Sequence, residues 1–102
     1  MDTDNLVQQA QARFHHEVAK RVLREKYQAK MIFAYNGGLF RAGPELIALL
    51  QACPVEDPIV IADLYDNPIK INPNELQYLA LDRWQEQMNA WRVEFEQISS
   101  TR

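Results

Sequence analysis

Met31-Ile32-Phe33-Ala34-Tyr35-Asn36-Gly37-Gly38-Leu39-Phe40-Arg41 is the stretch on which the fold turns. β-Branched and aromatic residues lie on both sides of an Asn-Gly step. The backbone of that step tolerates the positive φ that a tight two-residue hairpin turn demands. The competing reading extends the preceding helix to Tyr35 and ends it with Gly37 as a left-handed cap. Residue types on both flanks favour the hairpin.

Upstream, residues 3–30 read as one long helix. Leu6, Ala10, Phe14, Val18 and Val22 recur every four residues, and no Gly or Pro interrupts them. Thr3 or Asp4 supplies a candidate N-cap, and Lys26 and Lys30 suit the negative end of the helix dipole. Downstream, Gly43-Pro44-Glu45 opens a short helix whose buried side is Leu46, Ile47, Leu49 and Leu50, and Pro54 ends it. Ile59 to Tyr65 reads as a strand, Asp66-Asn67-Pro68 as a turn, and Ile69-Lys70-Ile71 as the returning strand.

Asn72-Pro73-Asn74-Glu75 then carries the cap, proline and acid of a helix start, with Glu75 placed for a capping box. Leu76, Ala80, Trp84, Met88, Trp91, Phe95 and Ile98 follow as one apolar stripe, before a tail of Ser99-Ser100-Thr101-Arg102. The expected architecture is a single α+β domain over residues 1–102, in the order α-β-β-α-β-β-α. A long helix at about 3–30, a mixed hairpin and helix region at 31–72, and a long helix at 74–99 make it up.

Each long helix would span roughly 40 Å, whereas a compact domain of this length is only about 33 Å across. The two helices must therefore lie antiparallel beside a small sheet, or project and pack against another chain. Their spacing suits ordinary helix packing better than a strict heptad seam.

At 102 residues, with 47% apolar and 25% charged side chains, the chain is neither collagenous, low-complexity nor wholly disordered. No apolar run approaches the ~20 residues of a membrane span. The start, Met1-Asp2-Thr3-Asp4, is acidic where a secretory signal is basic and then apolar. A lone Cys53 excludes an intrachain disulfide and a cysteine-built zinc site. A cytoplasmic location is expected.

Charge is split along the chain. Residues 1–41 hold seven Lys/Arg against four acids, and residues 42–102 hold ten acids against four Lys/Arg, for a net charge of −3. Attraction between the two halves explains this better than a nucleic-acid arm, because acids interrupt the basic stretch. Lys20, Arg21, Arg24, Lys26 and Lys30 form a candidate basic surface, with Tyr27 available to stack on a base. They spread round the helix with Glu17 and Glu25 among them, so a solvated or partner-facing role is expected and nucleic acid is not.

Motifs for catalysis or cofactors are sparse. His15 and His16 are adjacent, so their side chains point about 100° apart on a helix and cannot share a metal. Asp63 and Asp66 flank Leu64-Tyr65, and Glu56-Asp57 precede that strand. A convergent third ligand is not apparent. Cys53 lacks a His at a suggestive spacing and reads as structural. Asn36-Gly37-Gly38 is too short for a phosphate cradle. The expectation is no catalytic residue, no cofactor and no metal.

Residues 31–41, Pro44-Glu45-Leu46-Ile47, Tyr65-Asp66-Asn67-Pro68-Ile69 and Met88-Asn89-Ala90-Trp91 resemble small uncharacterised proteins of T4-like phages, especially those of cyanobacteria. The resemblance covers about residues 31–98 and leaves the first helix unmatched. It implies a phage product, located in the host cytoplasm or the virion: an assembly component, or a small protein that captures a host factor. It brings no catalytic motif.

The leading expectation is a non-enzymatic protein–protein interaction module, with a structural or assembly role. It would bind itself or another protein through the long helices, with Trp84, Met88, Trp91 and Phe95 as candidate interface residues. The alternative is a small regulator that binds a host factor, a transcription complex or nucleic acid through the basic first helix.

Overall fold

Both residues of the Asn-Gly step take positive φ, 50° at Asn36 and 83° at Gly37. That closes a two-residue turn between β1 (Ile32–Tyr35) and β2 (Gly38–Arg41), paired from Tyr35↔Gly38 to Ile32↔Arg41. In this computed structural model, which describes residues 2–54 and 57–100, the preceding helix α1 (Asp2–Lys30) stops before the hairpin. The other elements are α2 (Pro44–Gln51), β3 (Ile59–Ala62), β4 (Pro68–Ile71) and α3 (Pro73–Ser100). The fold is α+β in the order α-β-β-α-β-β-α, with two separate antiparallel hairpins.

The second hairpin is shorter than its apolar run suggests: Leu64 and Tyr65 lie outside β3. Asp63 is the cause. Its Oδ1 accepts the amides of Tyr65 and Asn67, both at 2.9 Å, while its own amide donates to the Asn67 carbonyl at 3.0 Å. An Asp side chain that bonds amides just ahead of it replaces the strand ladder with a turn. Asp66 completes that turn at φ 61°.

The hairpins are tied to each other by polar contacts. The Leu39 amide donates to Asp63 Oδ2 at 3.0 Å, and the Leu64 amide donates to the Leu39 carbonyl at 2.8 Å. Asn36 Nδ2 reaches the Lys70 carbonyl at 3.1 Å. Gly38 makes this approach possible: a Cβ there would lie 2.7 Å from Ile69 Cγ1 and 3.2 Å from Asp63 Oδ2.

The core fills the space between the hairpins, α2 and the first half of α3. Tyr35, Phe40, Leu50, Ile71 and Leu76 form one cluster; Met31, Ala42, Ile47 and Ala80 form a second. Phe33 and Leu46 pack against both. Pro44 opens α2 at a position where a missing N–H is harmless. Asn72 caps α3 by accepting the Glu75 amide at 3.1 Å. The expected capping box is only half realised, because the Asn72 amide faces the Tyr35 hydroxyl at 3.5 Å rather than the Glu75 carboxylate.

The first helix departs most from expectation. It is already helical at Asp2, so Thr3 and Asp4 lie within its first turn rather than at a cap. Leu6, Phe14 and Val22 are 63%, 66% and 55% exposed, whereas Leu23 and Tyr27 are buried. The buried line is thus a different face from the one the four-residue repeat marks. Only the second half of α1 lies beside α3, antiparallel to it, and residues 4–15 are exposed. The chain accordingly measures 69 × 24 × 21 Å, with a radius of gyration of 19.3 Å, against about 13 Å for a compact domain of this length. Among the described residues, no helix is long and apolar enough to cross a membrane.

Two substitutions test this packing. Leu76, fully buried beneath both hairpins, is expected to cost about 2–5 kcal/mol on replacement by Ala. Gly38→Ala is expected to cost about 1–3 kcal/mol through overpacking against Ile69. Urea unfolding followed by far-UV circular dichroism measures both, and a neutral Gly38→Ala would contradict the close hairpin approach.

Candidate protein-binding groove

Three of the four interface candidates meet in one cleft of about 450 Å³. Trp84, Met88 and Trp91 succeed one another along α3 and are half-buried. Gln28 and Met31 border them at the end of α1. The opposite wall is the chain from Phe40 to Leu46 together with Ala62, Asp63 and Leu64. Phe95 lies outside the cleft, one turn beyond Trp91, and is exposed.

The cleft sits where the two hairpins stop pairing with each other. In an antiparallel ladder, hydrogen-bonded and outward-facing peptide groups alternate. The Ala42 amide bonds the Met31 carbonyl at 2.8 Å, so the peptide groups of Leu39 and Arg41 point away from β1. Those of Leu39 are taken by Asp63 and Leu64. Those of Arg41 face the cleft. By the same alternation, the bond from Asp63 to Asn67 leaves the peptide groups of Ala62 pointing out of their own hairpin. The cleft therefore combines an apolar floor with strand-edge donors and acceptors that are unbonded among the described residues.

One wall is held by a cluster between α1 and α3. Tyr27 is 2% exposed and stacks on Trp91, with ring centroids 6.0 Å apart and planes within 5°. Its hydroxyl donates to Glu94 Oε1 at 2.8 Å, and Lys26 Nζ donates to both Glu94 oxygens at 2.8 and 3.1 Å. The bonds from Lys26 and Tyr27 hold the Glu94 carboxyl below the usual range. Its hydrogen bond to Glu94 raises the Lys26 ammonium, while burial pushes the Tyr27 phenol up. Arg83 Nη1 adds a bond to the Lys30 carbonyl at 3.2 Å. Contact between the basic first helix and the acidic last one thus occurs within one chain.

The candidate basic surface is divided by these contacts. Lys26 is committed to Glu94, and Lys20 pairs with Glu17 at 3.4 Å. Lys30 Nζ lies 5.6 Å from the Tyr27 ring centroid. Among the described residues, Arg21 and Arg24 are exposed and form no ion pair.

The groups with catalytic potential do not converge. Both Asp63 oxygens are engaged by backbone amides, and those bonds, led by the one from Leu39, hold its carboxyl below the usual range. Asp66 and Asp57 are exposed, and Glu56 lies outside the described residues. The Cys53 thiol donates to the Leu49 carbonyl at 3.2 Å. His15 and His16 are on the projecting part of α1. Among the described residues, no cluster of three His, Cys, Asp or Glu could hold a metal ion. No family model, curated protein or solved structure matches the chain.

Sequence reasoning found the α3 wall of the cleft and missed the opposite one. The Asn-Gly turn does determine which way the Arg41 peptide faces. Nothing in the local sequence shows that Leu64 comes to lie beside Leu39.

The lowered Asp63 carboxyl carries a pH dependence. Its stabilising contribution is fully present above the unfolded aspartate value of about 4, and it is lost as pH falls through the folded value. Glu94 acts in the same direction. Asp63→Asn would place an amide donor against a backbone N–H, and is expected to lower Tm at pH 7. Below pH ~4 its stability should fall less steeply than that of the wild type. Urea titrations at a series of pH values read out the difference.

Proposed function

We propose that the protein is a non-enzymatic protein–protein interaction module, and that its groove takes an extended apolar segment of a partner protein. The observation that carries this reading is the pairing, in one cleft, of the Trp84-Met88-Trp91 floor with the outward peptide groups of Arg41 and Ala62. A strand laid along that edge gains main-chain hydrogen bonds, and its alternate side chains drop onto the aromatic floor. Trp and Met are also residue types that carry interface energy and adapt to varied partners. The structural use of Asp63 and Cys53 supports a non-enzymatic role. The resemblance of residues 31–98 to small phage proteins supports an assembly role in a virus, in the host cytoplasm or the virion. A regulator acting on nucleic acid through α1 has less support, since Lys20 and Lys26 are paired with acids of this same chain.

The test uses a panel of ten-residue peptides in which bulky apolar and polar residues alternate, with tryptophan fluorescence as the readout. Peptides of this pattern are expected to shift the emission of Trp84 and Trp91, and scrambled, purely polar controls are not. Leu64→Glu removes an apolar wall contact worth roughly 1.5–3 kcal/mol, so binding should weaken at least about tenfold. Arg41→Pro deletes the edge donor at a position where proline spares the hairpin ladder, and should weaken binding likewise. Equal binding by wild type and both variants would refute the groove.

A further inference from the structure

The aromatic floor of the cleft continues past its end. With a residue every ~100° round the helix axis, Phe95 falls between Met88 and Trp91, so it prolongs their face of α3 by one turn. It is 38% exposed. Tyr27 stacks on Trp91 and the two helices are antiparallel, so one turn onward along α3 is one turn back along α1. Arg24 is at that level, and Arg21 follows it. Round α1 they lie about 40° and about 20° from Gln28, which borders the cleft, and roughly 6 and 10 Å beyond it along the axis. Both arginines are exposed and form no ion pair among the described residues.

We infer that the segment held in the groove carries a short acidic run beside its apolar stretch, and that this run leaves the cleft over Phe95 to meet Arg24, with Arg21 behind it. The inference rests on the reading of the cleft as a strand-binding groove. Charge complementarity selects the acid. The cleft itself holds both signs, Arg41 against Glu45 and Asp63. At the exit the acids are engaged or turned away. Glu17 pairs with Lys20, and Glu96 with Arg92. Glu94 is bound by Lys26 and lies about 100° round α3 from Phe95. Glu25 is about 160° from both Leu23 and Tyr27, on the side of α1 away from α3. The charge left over is positive. An extended chain advances about 3.3 Å per residue, so its second and third residues beyond the cleft come level with Arg24 and Arg21. Acids there would gain two partners that the fold leaves unpaired, while the apolar stretch stays on Trp84, Met88 and Trp91.

Fluorescence anisotropy of labelled peptides on the full chain tests the inference. The alternating apolar peptide is compared with versions extended by a run of aspartates at one end or the other, since a strand can lie along an edge in either direction. One aspartate-extended peptide is expected to bind roughly three- to tenfold more tightly than the parent at low salt. A lysine-extended one should bind more weakly, and ~0.5 M salt should erase both differences. Arg24→Glu should abolish the gain and leave the parent peptide's affinity, the circular dichroism and Tm unchanged, because Arg24 is exposed and unpaired. Lys70→Glu makes the same change of net charge outside the cleft and should preserve the gain. No gain from either aspartate run, a gain that survives Arg24→Glu, or one lost equally in Lys70→Glu would overturn the acidic run while leaving the groove standing. Failure of the parent peptide to bind would refute the groove, and this inference with it.

Discussion

Asp63 holds a buried carboxylate whose two oxygens are shared between two parts of the chain. One oxygen takes the amides of its own turn, and the other takes the Leu39 amide of the first hairpin. A two-stranded hairpin has little stability alone, and these two do not merge into one sheet. What makes them a unit is this charge-assisted junction, the Leu64–Leu39 bond beside it, and the close approach at Gly38. Acceptance of three amides also satisfies donors that burial would otherwise leave at a cost. α2 and the first turns of α3 pack beneath the hairpins through Leu50 and Leu76.

The groove is a consequence of where the junction is placed. The hairpins are joined at Leu39 and, among the described residues, not at Arg41. Their facing edges are therefore open next to the aromatic stripe of α3. Had Asp63 lain two residues earlier, the same ladder parity would have presented the junction elsewhere along β2. A structural carboxylate thereby shapes the cleft that it also lines.

The two long helices divide the remaining work by face. Tyr27, stacked on Trp91 and bonded to Glu94, anchors the second half of α1 along α3. The first half extends past this contact and is exposed, with Leu6, Val7, Ala10 and Phe14 winding round the helix. The 69 Å length follows directly from that offset. It sets the cleft apart from the exposed residues 4–15 of α1.

Local chemistry was enough to determine the elements. Asn36-Gly37 tolerates positive φ and so makes a hairpin, Asn72-Pro73 starts a helix, and apolar residues at three- and four-residue steps with no Gly or Pro among them mark two long ones. These preferences act within a few residues and need no partner. The roles of helix faces were not legible in the same way. On α1 the obvious stripe of Leu6, Phe14 and Val22 is exposed, and the less regular pair Leu23 and Tyr27 is buried. Periodicity reports that a face is apolar, whereas burial depends on which surface from elsewhere in the chain reaches it. Only the tertiary structure decided that Asp63, which ends its strand through its own turn, also receives Leu39, and that Leu64 closes a groove opposite Trp84. Those outcomes rest on juxtapositions across 20 or more residues, where the geometry of the intervening elements, and not their propensity, determines what meets.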